Sequence, residues 1–154
     1  MIACGLIRVR RLARHDSKKH FSSSHSFVLT TAEVMSKLQS IAPGFGEYWN
    51  DPENLFRADD GSFTFHGMFV EFSHYVREEF ELLDEATRVQ LFQFAEECAA
   101  HRQRSDTELS NAVYTCFIEN LTNEPISAQI RSYLGPKSLA LFDAWDNPAG
   151  PDAA

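Results

Sequence analysis

Apolar residues from Val34 onward recur every three or four positions, in separate runs bounded by turn-forming residues. In the first run Val34, Leu38 and Ile41 keep helical spacing. Thr30 stands ahead of it with Glu33 three residues later, the pattern of a capping box. Pro43-Gly44 stops the run, so a helix is predicted over about residues 31–42. Residues 43–61 have no period and hold the turn formers Gly44, Gly46, Asn50-Asp51, Pro52 and Asp59-Asp60-Gly61. The same stretch carries Phe45, Tyr48, Trp49, Leu55 and Phe56. It is therefore expected to be tied onto a core, with a short helical turn from Asp51 to Phe56 led by Pro52.

The clearest amphipathic stripe comes next: Phe65, Met68, Phe69, Phe72, Tyr75, Val76 and Phe80. Gly67 inside it costs up to ~1 kcal/mol against alanine, which suggests close packing there. Asp84 is placed to cap a third helix carrying Val89, Leu91, Phe92, Ala95, Cys98 and Ala99 and ending near Arg102–Arg104. Ser105 or Asp106 caps a fourth, with Leu109, Ala112, Val113, Cys116, Phe117 and Leu121 on one face. Pro125 opens a fifth with Ile126, Ile130, Tyr133 and Leu134, which Gly135 closes. Pro136 begins the sixth, with Leu139, Leu141, Phe142 and Trp145, and Asn147-Pro148 stops it. Ser62-Phe63-Thr64-Phe65 alternates briefly but runs into the helical pattern, and no convincing strand is found. The fold class predicted is all-α: a single-domain antiparallel helical bundle, or a short stack of helical hairpins, of about six helices over residues 28–147.

Charge changes the picture at the amino terminus. Residues 1–20 hold six basic residues (Arg8, Arg10, Arg11, Arg14, Lys18, Lys19) and one acid, Asp16. Removing these from the chain totals of 14 basic and 22 acidic residues leaves 8 and 21, a net of -13 for the remainder. Residues 1–27 are thus expected to be a basic arm outside the core, or a leader translated ahead of the true start, and an organellar transit peptide has the same composition. Residues 148–154 are expected to form a loose tail. The acidic body repels nucleic acid, whose binding needs phosphate neutralisation, and suits a cationic protein partner. The 13 phenylalanines need an interior, and their surplus also makes a homodimer plausible. Three cysteines (Cys4, Cys98, Cys116) without a CxxC pair form no disulfide framework or zinc motif, and fit a cytoplasmic protein. No window resembles a membrane span.

The candidate metal set is His66, Glu71 and His74. Glu71 and His74 stand three apart, as in the Glu-x-x-His elements of di-iron bundles, but those sites use two such elements and the chain has one. The plainer reading, and the preferred one, is an exposed acid beside a partly buried histidine. A thiol site could be drawn from Cys98 or Cys116 with His101 or His74, yet both cysteines fall on apolar stripes in an acidic body, where thiolate is disfavoured. Glycine-rich phosphate loops and nucleophile elbows are missing from the sequence. No catalytic residue and no cofactor is assigned, and the expectation is a non-enzymatic domain. Acids cluster at the junction of the second and third predicted helices: Glu71, Glu78, Glu79, Glu81, Asp84 and Glu85. They are the candidate docking surface for a basic protein. A solvated helix face is the better account of most of these acids taken singly.

Two stretches carry a resemblance. One is Gly67-Met68-Phe69-Val70-Glu71-Phe72-Ser73-His74-Tyr75; the other is Leu109-Ser110-Asn111-Ala112-Val113-Tyr114-Thr115-Cys116-Phe117-Ile118-Glu119-Asn120-Leu121. The second resembles the N-A-V…F-(I/L)-E-N-L helix of a small bacterial all-helical family of unknown function, over about residues 30–147. Such proteins look like the cytosolic immunity proteins that neutralise secreted polymorphic toxins. The resemblance implies a helical domain with a protein partner, a toxin in that association, and supplies no catalytic residues.

Overall fold

The computed structural model describes residues 29–100 and 107–146. The arm, the Arg102–Arg104 and Ser105–Asp106 signals, His101, Cys4 and the tail lie outside them. The elements in order are α1 (Thr31–Ile41), α2 (Gly44–Trp49), α3 (Phe65–Glu79), a 3₁₀ turn (Phe80–Leu82), α4 (Glu85–Ala100) and α5 (Thr107–Ala112). A π-helical stretch (Val113–Ile118), α6 (Glu119–Leu121), α7 (Ser127–Ile130), a second 3₁₀ turn (Arg131–Tyr133) and α8 (Pro136–Asp146) complete the chain. No strand occurs among the described residues, and the protein is an all-α bundle.

The starts of the helices reflect local chemistry. Thr30 accepts from the Glu33 amide at 3.2 Å, and the Glu33 carboxylate takes the Thr30 amide at 2.8 Å, so the capping box closes. Thr64 Oγ1 caps α3 through Gly67 N at 3.1 Å, and Asp84 caps α4 through Thr87 N at 2.7 Å. Asn123, at φ 60°, turns the chain sharply after α6 in the left-handed region that asparagine tolerates.

Phe69, Phe72, Phe92 and Phe117 meet at the centre, all fully buried. Phe117 lies 5.2 Å from Phe72, 5.8 Å from Phe92 and 6.1 Å from Phe69, centroid to centroid. Offset and tilted ring pairs of this kind add about 0.5–1.5 kcal/mol each to the area they bury. The two stretches that carry the family resemblance therefore pack on each other, α3 against the π stretch. Their contact also contains a polar bridge: Asn120 Nδ2 donates to the Cys116 carbonyl at 2.8 Å and to Ser73 Oγ at 3.3 Å. Ser73 is buried and gives its own proton to the Val70 carbonyl at 2.6 Å. The π geometry shifts the backbone ladder by one residue; the Asn120 amide takes up the Cys116 carbonyl within it, and the Thr115 hydroxyl takes up the Asn111 carbonyl in α5 just before it.

Three expectations are corrected. The short helix of the 43–61 region is Gly44–Trp49, upstream of the predicted turn at Asp51–Phe56, which is a series of non-helical turns. Pro43 precedes a new helix here because its fixed φ suits a helix start. Val89 and Trp145, placed on apolar faces by spacing, are about half exposed. Leu55, expected on the core, stands 92% exposed, while Phe56 beside it is 37% exposed.

Candidate functional site

Residues 50–63 form a strap that runs from the end of α2 to the start of α3, and its own polar side chains hold its shape. Asn50 Nδ2 and Asn54 Nδ2 donate to the carbonyls of Gly46 and Trp49, both at 2.8 Å. Arg57 donates to Asn50 Oδ1 at 2.8 Å, and Asp51, Asn54 and Asp60 each take an amide two residues on. These are Asx turns, in which a short side chain replaces a backbone acceptor. Trp49 and Phe63 close the base of the strap with an edge-on contact at 5.1 Å.

The strap meets α3 through Phe56. A Cβ on Gly67 would lie 3.0 Å from the Phe56 Cβ, so the glycine is what allows the approach. Leu55 and Phe56 form a ridge with a groove on either side. The first groove, about 550 Å³, is lined by Tyr48, Asp51, Glu53, Glu71, His74 and Glu78 together with the ridge. The second, about 560 Å³, runs along Ser62, Phe63, Thr64, His66 and Val70.

The first groove concentrates negative charge. Asp51 and Glu53 come from the strap; Glu71 and Glu78 come from α3, two turns apart. Tyr48 registers the field: burial, its hydrogen bond to Glu78, and the Glu78 and Glu71 charges together push its hydroxyl up to about 12. His74 Nδ1 lies 3.4 Å from Glu71 Oε2, and the expectation of an exposed acid is corrected: Glu71 is the more buried partner, because it lines the wall beneath the strap.

The predicted acidic cluster divides. Glu71 and Glu78 face this groove. Glu81 accepts from Gln129 at 2.7 Å and Glu85 from the Tyr133 hydroxyl at 2.6 Å, so these two tie elements of the fold together, while Asp84 caps α4 locally. Glu79 is half-buried beside Tyr75, whose hydroxyl pKa burial and the Glu79 charge raise. Arg88 fastens the same corner, donating to the Phe80 carbonyl at 3.1 Å and the Glu81 carbonyl at 3.2 Å. Sequence does not single out Asp51 and Glu53. Their one signal is the turn-forming Asn50-Asp51-Pro52-Glu53-Asn54 string, which says nothing of which helix it faces.

The metal set does not assemble. His66 and His74 are eight residues apart on α3, about 12 Å along the axis, whereas zinc sits about 2.0–2.1 Å from each nitrogen. His66 lines the second groove and pairs with α5 instead, with Asn111 Nδ2 at 3.1 Å and Glu108 at 3.9 Å. Among the described residues no three His, Cys, Asp or Glu side chains converge as a metal would require. Cys98 is buried at the α4 core face, and burial with the Glu97 charge pushes its thiol up to about 12, the opposite of an activated nucleophile. Glu96 is a helix cap for α8. It reaches from α4 to accept from Lys137 N at 3.0 Å, Ser138 N at 2.9 Å and Ser138 Oγ at 2.6 Å.

No helix among the described residues is long and apolar enough to cross a membrane. A family model described as a domain of unknown function (DUF7674) matches residues 35–147, and the chain belongs to that family. No curated protein and no solved structure matches the chain significantly.

Proposed function

We propose that this member of the DUF7674 family is a non-enzymatic interaction domain whose acidic groove docks a cationic segment of a partner protein. One observation carries the reading: four carboxylates, from the strap and from α3, face a single open groove beside an exposed apolar ridge. Carboxylates held at mixed depths along an open groove attract Lys and Arg over several ångströms and speed encounter. Leu55 and Phe56 add apolar area that a partner would cover, and the Asx turns pre-form the strap, so little ordering cost attends docking. A cytosolic immunity protein holding a basic toxin is the specific form of this reading that suits the charge of the body.

The test is capture from the native organism with the full chain, at about 50 mM and about 500 mM salt, where the screening length falls from roughly 14 to 4 Å. Glu53→Gln with Glu78→Gln is the matched variant, and Glu97→Gln is the control for an exposed acid elsewhere. The expected result is a basic protein retained at low salt by the chain and the control and lost with the groove variant. Retention that ignores the groove variant, or no retained protein at low salt, refutes the reading.

A further inference from the structure

We infer that the groove is occupied by the chain's own basic segment, residues 8–19, until a cationic partner displaces it. The inference rests on the docking reading above and adds its regulation. The first twenty residues hold six basic side chains against one acid, and the groove holds four carboxylates. The segment Arg8-Val9-Arg10-Arg11-Leu12-Ala13-Arg14 mixes basic with apolar residues, matching a groove that pairs carboxylates with the Leu55–Phe56 ridge.

Reach permits it. Lys19 stands ten residues before Leu29, where the described chain begins, and ten residues extend to about 33–36 Å. A domain of roughly this size has a radius of gyration of about 13 Å, so the extended tether is longer than the body's radius and comparable to its width. A tether this short holds the segment near the body at an effective concentration on the order of millimolar, so affinity no better than millimolar fills the groove about half the time. A competing cationic segment then binds more weakly by the fraction of groove left free.

Two measurements on the full chain test it. Zero-length carbodiimide coupling at low salt should join Lys18 or Lys19 to Asp51, Glu53 or Glu78, within one molecule, and about 1 M salt should abolish the links. An equal mixture of ¹⁴N and ¹⁵N chains separates the cases. Mixed-isotope links mean a second copy fills the groove and overturn the inference, as do links spread over Glu97, Glu108 and Glu119 or no links at all. The second measurement titrates a fluorescent nona-arginine peptide against the chain and against Arg8→Ser/Arg10→Ser/Arg11→Ser/Arg14→Ser. The variant should bind it about twofold tighter or more, and Glu53→Gln/Glu78→Gln should weaken both. Equal affinity of chain and arginine variant overturns self-occupancy and leaves the docking reading intact. Binding that ignores the groove variant, or no binding to either chain, removes both.

Discussion

Replacing Glu96 by glutamine removes one charge and almost no volume, and three contacts set the cost. The carboxylate accepts from Lys137 N, Ser138 N and Ser138 Oγ, all at 3.0 Å or less. It acts as an N-cap because Gly135, which precedes α8, has no side chain to do so. An amide keeps one accepting oxygen but turns its NH₂ toward at least one of these donors. Ser138 is buried, so a donor left unpaired there costs about 1–3 kcal/mol, and losing the charge at a helix N-terminus adds about 0.3–1 kcal/mol. The expected loss is about 2 kcal/mol at pH 7, or about 4–8 °C in the melting temperature for a chain of this length. The pH dependence supplies the sharper check. Burial pushes the Glu96 carboxyl up, but the Ser138 and Lys137 donors and the Lys137 charge outweigh it and hold the group below 4.5. A carboxyl depressed in the folded state stabilises fully above its unfolded value, and the benefit fades as pH falls through the folded one. Circular dichroism melts of both proteins between pH 3 and 7 should therefore show the gap closing in acid. The carboxyls of Glu33, Asp60 and Asp84 are lowered too, so both proteins weaken there and only the difference reports on Glu96. Equal melting at pH 7, or a gap that does not shrink in acid, refutes the capping account.

Three further outcomes rest on the packing of the core. Phe72→Ala, which removes a fully buried ring stacked 5.2 Å from Phe117, should cost about 3–5 kcal/mol in urea unfolding, and a loss under about 1 kcal/mol would contradict its central place. Gly135→Ala puts a Cβ 2.4 Å from Glu96 Cγ and should cost about 1–3 kcal/mol. Much of that cost should vanish in the Glu96→Ala background, and a strictly additive double mutant would show that the clash is absent. Cys98 should resist iodoacetamide at pH 8 while folded and react in urea, read by peptide mass spectrometry. Labelling as fast as half-buried Cys116 in the native protein would contradict its burial.

The helices of the core were legible because their order is carried by local repetition. The stripe from Phe65 to Phe80 and the run from Leu109 to Leu121 each place a ring or branched chain every turn, and the structure joins them at Phe72 and Phe117. What spacing could not give was a partner that lies elsewhere in sequence. Glu96 looks like any exposed acid on a helix until α8 arrives, 41 residues later, with free amides and no capping side chain. Glu81 and Glu85 likewise became structural only through Gln129 and Tyr133. The π stretch was invisible for a related reason: its residues keep helical composition, and the polar bridge beside it, from Asn120 to Ser73 on α3, joins residues 47 apart in sequence.

The groove has the same origin. Its strap is written locally, in Asn50, Asp51, Asn54 and Asp60, but those residues specify turns and not the helix they face. The deciding residue is Gly67, a single gap in an otherwise bulky stripe. Phe56 enters there, and nowhere else along α3 is the strap given a comparable opening by a glycine. Contact at that point leaves space on both sides of it, one toward Glu71, His74 and Glu78, the other toward His66 and Val70. By spacing alone Gly67 points to close packing, and Glu71 with Glu78 to docking, as separate matters. In the fold the glycine seats the ridge that turns those two glutamates, with Asp51 and Glu53 opposite, from a solvated helix face into the wall of a groove.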